Sequence, residues 1–305
     1  MNNLNCYDSM IFSAGNILMP NCDFNYYFLD AFSIKYYMDE SLNKNGMFIV
    51  IDDLKAYILK NYYGLRLTKE IVKNRTLVEK KIENAVLYKL KPVGVQMDSF
   101  YIPWNKLQYQ MHRTHCFLIT EILNDHYICI DTFLSENKVC ITKKTLIDNI
   151  DCLLFFDYDE KLKKDTNLNS LILLIKNYIR VERKKHIEKI EAFADNILSC
   201  GFETIQNADY DNIEQSSLIF CIAALEWSRN NFSKALTLAK KSFNTSLFDN
   251  IILIVDDIYV MWGTVKSLMM KNMIFNNYYK KAGQLLQKIA DKENEVMELL
   301  LNLTC

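Results

Sequence analysis

Glycine and proline are scarce in this chain, with seven Gly and three Pro among 305 residues. This scarcity disfavours a loop-rich, disulfide-stapled scaffold and favours long helices and strands. Acidic and basic residues nearly balance at a formal net charge of -1, which argues against a nucleic-acid-binding surface or a polybasic membrane patch. The apolar runs are too short, or too interrupted by charge, to span a bilayer. A glycine-rich phosphate loop is also missing, so no nucleotide cofactor is predicted.

The nine cysteines are scattered, and no two of them form a Cys-x-x-Cys pair. This spacing predicts neither a zinc site nor a disulfide framework. The sequence shows no secretory signal pattern, so we expect a reducing, cytoplasmic environment. The motifs therefore predict a protein without a metal or any other bound cofactor.

Two regions of different hydrophobic periodicity predict an α+β chain with two domains. Residues 1–158 combine an N-terminal helix with short segments rich in β-branched and aromatic residues, which are typical of strands. The polar residues 159–168 are the predicted linker, and residues 169–305 have the periodicity of an all-helical domain. Strands are predicted at 96–103, 116–123, 127–132, 137–141 and 152–157. Helices are predicted at 22–38, 69–83, 169–197, 214–229, 231–243, 250–272 and 276–303.

Three residues of the first region form the arrangement with the clearest chemical meaning. Cys6 lies where the first helix begins, and a helix N-terminus lowers the pKa of a thiol because its unpaired N–H groups favour negative charge. His115 opens one apolar run and Asp131 ends the next, with the turn signal Asn124-Asp125 between them. A hairpin here would bring the imidazole and the carboxylate side by side, as a thiol nucleophile requires of its base and orienting group.

Four segments carry a resemblance to a known family: residues 5–9 (Asn-Cys-Tyr-Asp-Ser), residues 98–104 (Asp-Ser-Phe-Tyr-Ile-Pro-Trp), residues 112–119 (His-Arg-Thr-His-Cys-Phe-Leu-Ile) and the run ending in Asp131. They look like the N-terminal domain of the butirosin biosynthesis protein H family, papain-like acyltransferases of natural-product gene clusters. The order Cys, His, Asp is shared with peptidase domains that process bacteriocin leaders. It is also similar to the cysteine-protease homologues that form amide bonds in closthioamide-type pathways.

The resemblance covers roughly residues 1–158 and implies a papain-like cysteine-protease fold, with an N-terminal helix packed on an antiparallel sheet. It implies an acyltransferase of antibiotic biosynthesis that takes its acyl group from the phosphopantetheine thioester of an acyl or peptidyl carrier protein. A small-molecule amine then accepts the acyl group as an amide. In this scheme Cys6 is the nucleophile, His115 the general base and acid, and Asp131 the orienting group.

Asp98, Tyr101 and Trp104 are the candidate substrate-binding residues. Asp98 is placed to line the pocket of the acceptor amine, although the capping of a strand end is an equal alternative. Tyr101 and Trp104 are suited to stack on an aromatic acyl group, although aromatic residues at this density are more often core or cleft wall.

Two other functions remain open for the same residues: a cysteine peptidase or amidohydrolase, and a non-catalytic papain-like binding protein. Papain-like peptidases hold the oxyanion with a Gln a few residues before the cysteine, and only five residues, none of them Gln, precede Cys6. The backbone N–H of Cys6, an Asn or a distant group such as Gln96 would have to replace it.

Other residues near the proposed centre have simpler interpretations. His112 is an alternative base but is expected at the surface or the cleft rim, and His126 and His186 are expected in solvent. Cys116 and Cys129 are interpreted as core residues that point away from the catalytic side chains.

Overall fold

The computed structural model describes residues 4–32, 34–39, 44–49, 53–106, 108–165, 167–201 and 216–304. Contacts divide the chain into two units, residues 1–24 with 56–164 and residues 25–55 with 165–305. This division differs from the sequence-based boundaries, because residues 25–55 group with the helical residues rather than with the sheet.

The first unit is built on one antiparallel sheet of six strands. Its helices are α1 (Cys6–Leu18), most of α2 (Asp53–Tyr63), α3 (Val78–Glu83) and α4 (Lys143–Asn149), with a π-helical turn at Asn84–Tyr88. Its strands are β3 (Leu65–Ile71), β4 (Val93–Asp98), β5 (Thr114–Leu123), β6 (His126–Ile130), β7 (Val139–Thr142) and β8 (Ile150–Tyr158). The strand order is β3-β8-β4-β5-β6-β7, so β4 and β5 lie at the middle of the sheet.

The two faces of this sheet are covered by different elements. Val95, Phe117 and Ile119 point into an apolar core that also contains residues of α3 and α4, such as Ile82 and Leu146. The opposite face carries Gly94, where an added Cβ would lie 2.7 Å from Met10 Sδ on α1. The missing side chain at Gly94 therefore lets α1 pack directly on this second face.

The structure confirms an α+β chain with an all-helical C-terminal part, and it corrects two predicted helices, those over 69–83 and 22–38. The 69–83 segment is not one helix: its first residues belong to β3, which pairs with β8, and the helix begins only at Val78. The 22–38 segment contains a 3-10 turn (Asn25–Phe28) and β1 (Ile34–Asp39) instead of a helix. In both segments, contacts with distant residues outweigh the local helical pattern.

The described residues of the second unit form four long helices and a two-stranded hairpin. The helices are α5 (Leu168–Cys200), α6 (Ser217–Phe243), α7 (Asp249–Phe275) and α8 (Tyr279–Asn302). β1 pairs with β2 (Lys44–Ile49) in antiparallel register, and this hairpin packs against α5 and α6. The predicted helices 214–229 and 231–243 are a single helix, α6, with residues 214 and 215 outside the described part of the chain.

A buried charge network holds the helices of the second unit together. Glu293 on α8 accepts hydrogen bonds from Arg229 Nε (2.8 Å) and Trp262 Nε1 (2.9 Å), and it is also bonded to His186 on α5. Arg229 Nη1 donates to the carbonyl of Ala31 at 2.8 Å, which ties the segment before β1 to the helices. The expectation that His186 lies in solvent is wrong, because its side chain is fully buried by this network.

Among the residues that the structure describes, no helix combines the length and the apolar character needed to cross a membrane.

Candidate active site

The first helix places Cys6 at its first position. Asn5 is the N-cap: its side-chain oxygen accepts from the backbone N–H of Asp8 at 2.8 Å, and its amide donates to the Asp8 carboxylate at 2.8 Å. Helical geometry offers the N–H groups of Cys6 and Tyr7 no carbonyl within the helix. The predicted helix start is therefore confirmed, and the thiol sits where unpaired donors and the helix dipole stabilise negative charge.

The side chains of His115 and Asp131 form the pair that the sequence predicts. His115 is the second residue of β5, Asp131 directly follows β6, and both side chains are buried. His115 Nε2–H donates to Asp131 Oδ2 at 2.7 Å. With Nε2 engaged, Nδ1 is the ring nitrogen left for the thiol of Cys6, which contacts the imidazole.

The carboxylate of Asp131 is fixed by four hydrogen bonds. Oδ2 accepts from His115 and also from Trp104 Nε1 at 2.7 Å, while Oδ1 accepts from the backbone N–H groups of Phe133 and Leu134, each at 3.2 Å. The Trp104 ring also meets the Phe117 ring edge-on at 5.2 Å. In this structure Trp104 is thus a partner of the orienting carboxylate, a role that the sequence interpretation did not include.

The protonation states of Cys6 and His115 are coupled through their contact. The pKa of the Cys6 thiol is held well below its ordinary value by a hydrogen bond from Cys116, against the opposing effect of burial, and then by the bond and charge of His115. Burial lowers the pKa of His115, but hydrogen bonds to Asp131 and Cys6 outweigh it and raise the pKa to about 9. Both shifts favour a Cys6 thiolate facing a His115 imidazolium, which is the reactive form of a cysteine nucleophile.

Cys116 lies beside the sulfur of Cys6. It follows His115 on β5 and points to the face of the sheet that α1 covers. The alternation of side chains along β5 correctly predicts that Cys116 points to the face opposite His115. It does not predict that α1, which covers that face, brings Cys6 to Cys116. Cys129 is a core residue, as predicted, but its predicted orientation is wrong: it packs on the same face as Phe117, two residues before Asp131.

Gln96 occupies the same row of the sheet as Cys116. It is opposite Cys116 on one side and opposite Cys152 on the other. Its Oε1 accepts from Lys69 Nζ at 3.0 Å and from Cys152 Sγ at 3.4 Å. These two bonds orient the amide, and they leave its NH2 end available on the face where Cys116 contacts Cys6.

The remaining sequence candidates lie at the end of β4, around Asp98. Asp98 caps the 3-10 turn Ser99–Tyr101, accepting from the N–H of Phe100 at 3.0 Å and of Arg113 at 3.2 Å, so its capping role is observed. Burial raises the pKa of Asp98, but a 2.5 Å hydrogen bond from His112 Nδ1 and the backbone bonds outweigh this effect, so the pKa lies below its ordinary value. His112 is largely exposed and stacks on Phe100 at 4.2 Å, in agreement with the rim position expected for it.

Tyr101 packs beside the same turn, partly against the apolar core. Its ring meets the Phe100 ring edge-on at 5.0 Å. Neither Asp98 nor Tyr101 contributes a bond to the Cys6, His115 and Asp131 arrangement among the described contacts, so their roles in substrate binding stay predictions.

Short hydroxyl contacts anchor α1 next to Asp131. Ser9 and Thr132 are hydrogen-bonded through their hydroxyls, and Ser13 Oγ lies 3.4 Å from the same Thr132 oxygen. Because Thr132 follows Asp131 directly, these contacts couple the position of the helix that carries Cys6 to the carboxylate that orients His115.

The described residues contain no group of three or more His, Cys, Asp and Glu side chains arranged to hold a metal ion. No family model matches the chain, and a search of curated proteins finds no significantly similar sequence.

Proposed function

We propose that this protein is a cysteine-dependent acyltransferase that forms an amide bond. The proposal is carried by one observation: the imidazole of His115 lies between the thiol of Cys6 and the carboxylate of Asp131 and contacts both. A nucleophile, a base and an orienting group in this order are the minimum needed for acyl transfer through a thioester. A papain-like fold is part of the proposal, supported by a helix that begins at the thiol and packs on an antiparallel sheet carrying the histidine.

In the first half-reaction, the thiolate of Cys6 attacks the acyl carbon of a thioester. The carbonyl oxygen becomes an oxyanion, and its collapse breaks the bond between the acyl carbon and the sulfur of the donor. The imidazolium of His115 gives its Nδ1 proton to the departing thiolate. The products are acyl-Cys6, a free donor thiol and a neutral histidine.

In the second half-reaction, the amine nitrogen attacks the acyl carbon of acyl-Cys6, and neutral His115 accepts a proton from the amine. A tetrahedral intermediate forms again, the bond between carbon and Cys6 sulfur breaks, and the amide leaves. The thiolate and the imidazolium are restored. Water in place of the amine would give the acid, so the cysteine peptidase or hydrolase alternative differs only in the group that resolves acyl-Cys6.

Two groups are suited to stabilise the oxyanion. The N–H of Cys6 is an unpaired helix donor, and the NH2 end of the Gln96 amide lies on the sheet face where Cys116 contacts Cys6. Removing one such donor typically costs about 10²–10³-fold in rate. The proposal assigns these two donors to the role that a Gln before the cysteine has in papain-like peptidases.

The proposed donor is an acyl or peptidyl carrier protein with its phosphopantetheine thioester, and the proposed acceptor is a small amine of a natural-product pathway. These partners come from the resemblance of residues 1–158 to the butirosin biosynthesis protein H family. A thioester is a chemically suitable donor for a cysteine nucleophile, because moving an acyl group from one sulfur to another is nearly balanced in free energy.

The test is to incubate the full chain with a short acyl-pantetheine thioester and to follow its intact mass. We expect one acyl group, located on Cys6 by peptide mapping, and its conversion to an amide when a panel of primary amines is added. Cys6→Ala should remain unacylated, whereas Cys22→Ala should behave like the native chain. Cys22 is the matched control because it is also half-buried, but burial raises the pKa of its thiol.

The acceptor decides between the candidate functions. Release of free acid at the same rate with and without amine, together with cleavage of peptide substrates, would favour the hydrolase. A chain whose Cys6 takes no acyl group, although it folds and its thiols are reduced, would contradict both enzymatic functions and favour a binding protein.

A further inference from the structure

The nucleophile of the proposed site has a second thiol in contact with it. Cys6 and Cys116 are both free thiols, and their side chains lie close enough to interact. Cys116 is buried, whereas Cys6 is half-buried, so small solutes approach the pair from the Cys6 side. Acyl transfer through Cys6, His115 and Asp131 gives Cys116 no covalent role.

The packing of α1 on the sheet explains why the two sulfurs meet. Met10 lies over Gly94, and Gly94 is opposite Leu118 on β5. One helical turn back from Met10, about 6 Å, is Cys6. Two residues back from Leu118, about 6.6 Å, is Cys116. Cys6 begins the helix that covers this face of the sheet, and Cys116 belongs to the covered face of β5, so the two side chains come close to each other.

A third thiol lies nearby but is placed too far from Cys116 to be linked to it. Cys116 and Cys152 flank Gln96 on neighbouring strands, so their Cα atoms are two strand spacings apart, about 9.5 Å. A disulfide needs a Cα separation below about 7 Å. The sheet therefore holds Cys152 away from Cys116, whereas Cys6 lies beside it.

We propose that Cys6 and Cys116 form a reversible oxidation site whose substrate is a peroxide, with Cys6 as the attacking and Cys116 as the resolving thiol. The inference rests on the proposed function in one respect, namely that Cys6 is a thiolate nucleophile. The oxidised form holds no free sulfur at position 6, so oxidation switches acyl transfer off and protects Cys6 from overoxidation.

The chemistry balances with peroxide as the oxidant. The Cys6 thiolate attacks one oxygen of hydrogen peroxide and breaks the O–O bond, giving Cys6 sulfenic acid and hydroxide. The Cys116 sulfur then attacks the sulfenic sulfur, its thiol proton leaves with the hydroxyl as water, and the S–S bond forms. The two sulfurs have lost two electrons and the peroxide has gained them. A dithiol reductant reverses the step by exchange and becomes a disulfide itself.

The test uses the reduced full chain, treated with hydrogen peroxide, blocked with N-ethylmaleimide and digested without reductant. Cleavage before Asp and after Lys or Arg separates the cysteines of interest into peptides 1–7, 8–22, 114–124 and 125–130. We expect peptides 1–7 and 114–124 to be linked by a disulfide that dithiothreitol reduces. Because an ordinary thiol is only about 3% ionised at pH 7, Cys6 should be oxidised at least tenfold faster than Cys22.

Two variants make the outcome decisive. In Cys116→Ala, the Cys6 sulfenic acid should persist long enough for capture by dimedone and then proceed to sulfinic acid, which dithiothreitol does not reverse. Cys152→Ala should give the same linked pair as the native chain. Near-ultraviolet circular dichroism checks that both variants fold.

The proposal is overturned if native Cys6 is oxidised to sulfinic acid without a linked pair, or if Cys6 forms disulfides with other cysteines as readily as with Cys116. The linked peptide is read from its mass, so it does not depend on acyl transfer. A linked pair in a chain that accepts no acyl group would refute the proposed function alone, whereas acylation without a linked pair would refute the oxidation site alone.

Discussion

Replacing Trp104 with Phe tests whether the indole positions the Asp131 carboxylate or only packs beside it. The change removes a single donor, the Nε1–H that bonds Asp131 Oδ2 at 2.7 Å, and keeps an aromatic ring beside Phe117. Hydrogen bonds to charged groups contribute about 1.5–3 kcal/mol. Since the Asp131 side chain is almost fully buried, water does not replace the lost donor well, and the free energy of unfolding should fall by about that amount.

The same change should alter the titration of His115. Burial lowers the pKa of His115, and its bonds to Asp131 and Cys6 raise it to about 9. Oδ2 accepts from both Trp104 and His115, so a carboxylate without the indole donor becomes a stronger acceptor for the imidazolium. We expect the pKa of His115 in Trp104→Phe to rise above about 9, and the acylation rate to fall by about tenfold as the carboxylate loses its fixed orientation.

Urea unfolding and NMR titration of the imidazole measure the two effects, and Tyr101→Phe is the matched control. Tyr101 lies in the same segment and its ring contacts Phe100 rather than Asp131, so its hydroxyl should be removable with a change below about 0.5 kcal/mol. Equal destabilisation by the two variants, with an unchanged pKa of His115, would refute the positioning role of Trp104.

Three further changes have expected outcomes. In the native protein, the bond from Cys116 and the contact with His115 lower the pKa of Cys6, against the effect of burial. Iodoacetamide should therefore alkylate Cys6 well below about pH 8.5. His115→Ala should slow the alkylation of Cys6 at least tenfold at about pH 6. Gly94→Ala should destabilise the sheet unit by about 1–3 kcal/mol, measured by urea unfolding, because its Cβ would lie 2.7 Å from a sulfur and 3.0 Å from a strand Cβ. Glu293→Gln should destabilise the helical unit by about 3–5 kcal/mol in thermal unfolding, because it leaves the buried guanidinium of Arg229 without its anion.

Each of these changes has a control that separates its cause from a general effect. The alkylation rate of Cys22 should not respond to His115→Ala, and a parallel slowing of both cysteines would contradict the thiolate-imidazolium pair. In Gly263→Ala in α7, the added Cβ meets the flexible end of the Glu226 side chain. A fall in the free energy of unfolding as large as that of Gly94→Ala would contradict a steric cause at Gly94. If Glu293→Gln lowers the free energy of unfolding by less than about 1 kcal/mol, the buried network is not a charge pair.

Local signals were sufficient to predict the parts of the site that lie within one hairpin or one helix end. Asn5 caps the helix that begins at Cys6, and the turn at Asn124-Asp125 joins the strands that carry His115 and Asp131. In each case the responsible residues are close in sequence, so capping and turn chemistry fix the geometry without knowledge of the remaining fold.

The parts that sequence reasoning missed depend on contacts between distant segments. Alternation along β5 shows that Cys116 points away from His115, but only the packing of α1 places Cys6 over it. The basic run around His186 suggests a solvated helix face. His186 is nevertheless buried, because its imidazole bonds to Glu293, which lies 107 residues further along the chain. A periodic pattern identifies the face of an element, whereas the partner of that face is a property of the whole fold.

The partners of Asp131 explain how one geometry serves both protonation states of His115. Apart from the histidine, the described groups that bond Asp131 are neutral dipoles, namely Trp104 Nε1–H and the N–H groups of Phe133 and Leu134. A cationic side chain in their place would compete with the imidazolium for the carboxylate and would weaken its attraction for the proton. Fixed neutral donors stabilise the negative charge without that competition, and they need not reorient when His115 loses or regains its proton. In the proposed reaction, His115 therefore keeps the same hydrogen bond to Asp131 through both half-reactions, while its other nitrogen gives a proton to the departing donor thiolate and then accepts one from the amine.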